Sequence, residues 1–240
     1  VVDEVRYSNV PPWPPQAAGL GPSLQLLDPL QDNRRPGNWT ATLPTAPNRV
    51  TPGAANAGRT TLAPFPLVWL NEVLAVNTSG PLDNAGERAP YIELYNSDTK
   101  AVDLSGYHLT DSYSDLTRWE FPAGTIIAPK AFLVVWADGQ SGQSTSQALH
   151  TGFRLAATHG SVALVRHQGT PAGPSVVDHL DYGAVSPNRS YGCFPDGEPM
   201  GRRYFQFVTA GAPNNPEVPE LKVTLNEFMA ANASAVTDPA

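Results

Sequence analysis

Charge, and lysine above all, is scarce in this chain. Only 15% of its 240 residues are charged, against roughly 25% in ordinary soluble domains. Three Lys stand beside 12 scattered Arg, and the net charge is −7. That balance excludes a protein that grips nucleic acid by neutralising phosphates with a basic patch. Cysteine is almost absent. Cys193 alone rules out an intrachain disulfide framework and a multi-cysteine metal centre, and it leaves the compartment open. No uncharged apolar run approaches the ~18 residues that suggest a membrane span. Heptads are missing, which excludes a coiled coil. The opening VVDEVRY reads as a strand, not as a basic and then apolar leader. Abundance lies elsewhere: 20 Gly and 25 Pro punctuate the chain, and a hydrophobic fraction of 41% is enough to build a core.

Internal repetition is the first positive signal. VWLNEVLAVN around Leu70-Asn71-Glu72 returns as VTLNEFMAAN around Leu225-Asn226-Glu227. Thr51-Pro-Gly-Ala-Ala-Asn56 returns as Thr209-Ala-Gly-Ala-Pro-Asn214, and Val1–Tyr7 resembles Val176–Tyr182. A window cut from a tandem array explains this. Residues 1–56 are expected to be the C-terminal part of one module, and 67–214 a complete module. Residues 221–240 would then be the N-terminal strand region of a third. Segments 57–66 and 215–220 read as Pro-bearing linkers.

Within the complete module every signal is β. Short runs rich in Val, Ile, Tyr, Phe and Trp alternate with Gly, Pro, Asn and Asp turns. Strands are expected near 68–76, 91–96, 107–110, 118–121, 132–137, 162–167, 176–182, 190–194 and 204–208. In the flanks they are expected at 1–7, 23–27 and 223–231. Alternation is clearest at Tyr91–Asn96, where Ile92 and Leu94 share one face and Tyr91, Glu93 and Tyr95 the other. No helical periodicity appears, so the fold class is all-β, with a two-sheet sandwich the better fit than a barrel. Trp119, Phe121, Phe132 and Trp136 offer large aromatic surfaces, and several of them are expected to form the inter-sheet core, with an aromatic platform for sugars as the alternative.

An ordered series of segments carries a family resemblance. LNEVLA (70–75), YIELYN (91–96), VDLSGYHLTD (102–111), RWEFPAGTII (118–127), AFLVVWADG (131–139) and LHTGFRL (149–155) come first. SVALV (161–165), VVDHLDYG (176–183), RSYGCFPDG (189–197) and TAGAPN (209–214) follow. The module resembles the lamin tail domain, an immunoglobulin-like β-sandwich found in nuclear lamins and in bacterial secreted proteins, and it is more similar to the bacterial tandem forms. The resemblance implies immunoglobulin-like β-sandwich modules in tandem, extracellular or at the cell surface, without catalysis or cofactor. They would act as a spacer or an adhesion and binding scaffold, and they could assemble into filaments. Partners would be other modules of the same or neighbouring chains, an extracellular protein or a polysaccharide. The alternatives are an accessory domain of a larger secreted hydrolase and a carbohydrate-binding module.

Chemistry-bearing motifs are few. None of His108, His150, His159, His167 and His179 forms a close-spaced ligand pair, and no nucleophile elbow, phosphate loop or dinucleotide fingerprint is present. No catalytic, cofactor-binding or metal-binding residue is therefore assigned. Cys193 reads as a small buried apolar residue. Glu72, repeated at Glu227, and Glu93 could flank a glycosidic bond only if set about 5–9.5 Å apart around a cleft. The expected role is structural instead, accepting hydrogen bonds from backbone or a Tyr. Asp98, Asp103, Asp111 and Asp115 lie in neighbouring loops of the kind that hold calcium, but also of the kind that are simply solvated. Sequons occur at Asn38, Asn77, Asn188 and Asn232.

Overall fold

The computed structural model describes residues 3–167 and 173–219, together with Asn226. In chain order the strands are β1 (Gln25–Leu26), β2 (Trp39–Thr40), β3 (Val68–Leu74), β4 (Tyr91–Asn96), β5 (Val102–Asp103), β6 (Tyr107–Thr110) and β7 (Trp119–Glu120). They continue with β8 (Ile126–Ile127), β9 (Phe132–Trp136), β10 (Leu149–His150), β11 (Gly160–Arg166), β12 (Ser175–Tyr182), β13 (Ser190–Gly192) and β14 (Arg203–Phe205). Among the described residues the only helical elements are single 3₁₀ turns, and no helix is long and apolar enough to cross a membrane.

Two sheets pack into an immunoglobulin-like sandwich. The larger runs β10-β9-β4-β3-β13-β14 and the smaller β12-β11-β6-β7. Their pairings are antiparallel except for β10, which lies parallel to β9. Val68, Leu70, Val73, Ile92, Leu94 and Val135 meet Leu109, Val162, Leu164, Val177 and Leu180 across the interface. Ile92 and Leu94 thus share the core face, as their alternation predicts.

A bulge decides what the other face of β3 carries. The β3–β4 register shifts between Leu70 and Glu72, leaving Asn71 as the extra residue. Such an insertion turns the following side chain to the opposite face. Leu70 and Val73 therefore both reach the core, while Glu72 pairs directly with Glu93 on the outer face. The bulge is sealed by β13: a Cβ on Gly192 would lie 2.0 Å from the Asn71 carbonyl oxygen, so only glycine fits there.

The aromatic expectation needs correction. Of the four residues named, only Phe121 is a buried member of the inter-sheet core, at 1% exposure. Trp119 is half-buried and meets Phe121 edge-on at 4.9 Å. Phe132 is half-buried and stacks on Tyr95 at 4.7 Å. Trp136 is buried on the outer face with Leu74, Ala89 and Tyr91. Phe121→Ala should therefore cost about 3–5 kcal/mol, as aromatic truncation in cores does. Trp119→Ala should cost about half as much, because its ring keeps partial solvent contact. Urea melts in which Trp119→Ala is the more damaging change would contradict this assignment.

In the flank, β1 falls inside the expected strand 23–27, but residues 3–7 form no strand. Among the described residues they pair with no strand; Arg6 Nη1 instead donates to the Met200 carbonyl at 2.8 Å. Strand 223–231 lies, apart from Asn226, outside the described residues. Segment 57–66 is bonded on both sides. Leu62 N donates to Asp28 Oδ2 at 2.9 Å, and Arg166 reaches the Pro64 and Ala63 carbonyls at 2.8 and 3.1 Å.

Candidate interaction site

The outer face of β3 and β4 is a polar seam, not a catalytic cleft. Glu72 accepts hydrogen bonds from Ser190 Oγ at 2.5 Å, Thr209 Oγ1 at 3.1 Å and the Tyr91 hydroxyl. Glu93 accepts from Asn71 Nδ2 at 3.1 Å and the Gly211 amide at 2.6 Å. Both carboxylates are fully buried, so neither can flank a glycosidic bond. Burial, followed by the charge of Glu72, pushes Glu93 up to about 8. Burial also raises Glu72, against the hydrogen bonds that favour its charged form. Tyr91 is raised by burial first and then by Glu72. The role is the structural one expected from sequence: the pair fastens the closing segment 209–214 onto the sheet.

That closing segment is built twice in the chain. In Thr209–Asn214, Thr209 Oγ1 lies 3.0 Å from Asn214 Oδ1, its one hydroxyl proton shared between this oxygen and Glu72 Oε1, and Gly211 takes φ 79°. Asn214 Nδ2 then donates to two carbonyls, Cys193 at 2.9 Å and Asn71, across on β3, at 3.1 Å. In Thr51–Asn56, Thr51 Oγ1 donates to Asn56 Oδ1 at 3.3 Å and Gly53 takes φ 70°. Asn56 Nδ2 donates to the Leu26 carbonyl of β1 at 3.0 Å. Among the described residues, strand β1 pairs only with β2. Tyr7, Val10, Leu20, Leu30, Leu43 and Val50 of this flank are exposed.

The flank is nonetheless docked on the sandwich. Arg35 is 1% exposed. Its Nη1 donates to the Val68 and Val177 carbonyls at 3.1 and 3.2 Å, and its Nη2 to Pro66 at 2.9 Å. The guanidinium lies 3.4 Å from the Trp69 ring centre. Burial pushes Arg35 down to about 10, so it remains charged at neutral pH. The following 3₁₀ turn, Pro36–Asn38, sits on β12, where a Cβ on Gly37 would lie 2.2 Å from Ser175 Oγ. Trp13 meets His179 of β12 edge-on at 6.4 Å.

The other candidates are placed as follows. Cys193 is fully buried, and burial pushes its thiol up to about 12. The four loop aspartates are engaged locally. Asp98 accepts from Thr99 N, Asp103 from Ser105 N, Asp115 weakly from Thr117 N at 3.4 Å, and Asp111 pairs with Arg118 at 2.7 Å. Among the described residues, the group able to hold a metal is a different one: Asp83, Asp138 and His150. Sequence reasoning counted His150 but missed the cluster, because its members come from three separate segments with no motif spacing. Two sequons are sealed. Asn38 donates its amide to the Asp28 carbonyl at 3.0 Å, and Asn77 to the Pro81 and Ala89 carbonyls at 2.8 and 3.0 Å. Asn188 donates to Thr78 Oγ1 at 2.7 Å, and Asn232 lies outside the described residues.

No curated protein matches the chain. Residues 68–184 match the family model described as Lamin Tail Domain. That span holds both sheets except the β13–β14 edge. That family is a non-enzymatic, immunoglobulin-like interaction fold, and it is over residues 68–184 that this chain is similar to the lamin tail domain.

Proposed function

We propose that the chain is a stretch of a tandem array of lamin-tail-like modules, a non-catalytic spacer and binding scaffold on a secreted or cell-surface protein. The repeated closing turn carries this reading. In the central module Thr209–Asn214 fastens onto Asn71, Glu72 and Glu93. The turn at Thr51–Asn56 has the same Thr–Asn bond and likewise fastens its Asn onto a strand carbonyl, and among the described residues that strand, β1, pairs only with β2. Leu225-Asn226-Glu227 repeats the binding residues of β3 in sequence. An unpaired strand edge recruits another chain when its own partner is missing. Successive modules would therefore meet head to tail, with the docked flank holding one module against the next. A contact of that heterologous kind propagates into rings or filaments. The acidic balance and low lysine content are compatible with an extracellular setting, which rests on the resemblance to bacterial secreted forms.

The test is light scattering on the 240-residue chain. It is expected to associate with rising concentration, and a chain ending at residue 220 is expected not to. A monodisperse monomer whose flanks resist proteolysis would defeat the head-to-tail reading.

A further inference from the structure

Three segments converge on a buried group that the interaction reading leaves unused. Asp83 lies between β3 and β4, Asp138 two residues after β9, and His150 in β10. Their ligand atoms all lie within 4.8 Å of one another. All three residues are buried, with exposures of 8%, 5% and 0%. Each carboxylate is steadied through one oxygen. Asp83 Oδ1 accepts from the Ala85 and Glu87 amides at 2.9 and 2.8 Å, and Asp138 Oδ1 accepts from the Gln140 amide at 2.9 Å. The second oxygens differ. Asp138 Oδ2 lies 2.9 Å from His150 Nδ1, while Asp83 Oδ2 is buried with no hydrogen-bond partner.

The proton count around His150 does not close for a neutral ring. Nδ1 faces the Asp138 carboxylate, and Nε2 lies 2.6 Å from Asn84 Oδ1. A neutral imidazole has one N–H and cannot donate to both. With both carboxylates ionised, the site would also hold two negative charges away from water, an arrangement that requires compensation. A cation removes both faults. With Nδ1 as a ligand, Nε2–H donates to Asn84 Oδ1, which fixes the ring tautomer as second partners of metal-bound histidines do. One imidazole nitrogen with two carboxylate oxygens suits zinc, whereas calcium takes six to eight oxygens.

We propose that Asp83 Oδ2, Asp138 Oδ2 and His150 Nδ1 bind a divalent transition-metal ion of the zinc type, oriented by Asn84. The ion would tie the β3–β4 loop to the β9–β10 segment at one end of the sandwich. Three protein ligands leave a fourth position for water.

The chain stripped with EDTA and titrated with zinc chloride tests this by calorimetry and thermal melting. One tight zinc ion per chain is expected, with a melting temperature that rises with zinc concentration and little response to calcium. Asp83→Asn keeps the Oδ1 acceptor and the shape of the side chain. It should melt like the metal-free parent and bind zinc at least about tenfold more weakly. His159→Ala, exposed just before β11, should change nothing. Failure of the parent chain to bind zinc stoichiometrically would overturn the proposal. So would an Asp83→Asn chain with unchanged affinity. An NMR signature of a doubly protonated His150 ring at neutral pH with zinc present would also overturn it, since a proton would then fill the place given to the metal.

Discussion

Arg35→Ala is expected to destabilise the chain by about 3–5 kcal/mol, the range seen when one member of a buried charged network is removed. The side chain is 1% exposed and bonds three carbonyls: Pro66 and Val68 at the start of β3, and Val177 in β12. It therefore ties the flank to both sheets at once. Alanine would also leave a void against the Trp69 ring, while Asp32 would keep its two bonds from Arg34 at 3.1 and 3.2 Å. Lysine is no conservative replacement, since a single ammonium can neither fork to three acceptors nor stack flat on an indole. Urea melts with parallel limited proteolysis check this, and the flank should become cleavable before the sandwich does. A change below about 1 kcal/mol with the flank still protected would show that the strap is held elsewhere.

Stability is expected to fall as pH rises through the neutral range. Glu93 is raised from 4.5 to about 8. Between those values the folded chain keeps a proton that the unfolded chain has released, so each rise in pH favours unfolding. The contribution is complete below about pH 4.5 and is lost as pH passes 8. One such proton gives a slope of about 1.4 kcal/mol per pH unit. Glu72, raised by burial and paired with Glu93, acts in the same sense. His108 and His179 act oppositely. Burial lowers both rings from 6.5, so their contribution is lost as pH falls through that region. The Glu93 effect is therefore read cleanly between pH 7 and 8. Denaturation midpoints at those two values should differ in the parent chain and converge in Glu93→Gln. Equal midpoints in the parent, or an undiminished difference in the variant, would place the proton on another group.

The sandwich was legible because its strands are short, β-branched and bounded by turn residues. Tyr91–Asn96 and Tyr107–Thr110 match residue for residue. What alternation could not show was which faces are covered. Segment 209–214 and its neighbours bury the outer side of β3 and β4, so Trp136 and Tyr91 are buried away from the inter-sheet core. Nor could periodicity show the bulge. In VWLNEVL, Leu70 and Glu72 are in phase for a regular strand, and only the extra Asn71 puts them on opposite faces. The role of Glu72 was nonetheless foreseen, because a repeated LNE without a cleft motif points to scaffold. Arg35 was invisible for a different reason. Its acceptors are backbone carbonyls 31, 33 and 142 residues away, and carbonyls leave no mark in a sequence.

The sealed position of Cys193 gives the molecule an internal clock. It is the only thiol in the chain. It lies just beyond β13, with its Sγ 3.3 Å from the Leu70 carbonyl and no exposed surface. An alkylating reagent meets a thiolate only when β13 parts from β3 and water enters. Labelling of the native chain therefore counts openings of the larger sheet, one event at a time. No second cysteine blurs the record, and the surface needs no engineered probe.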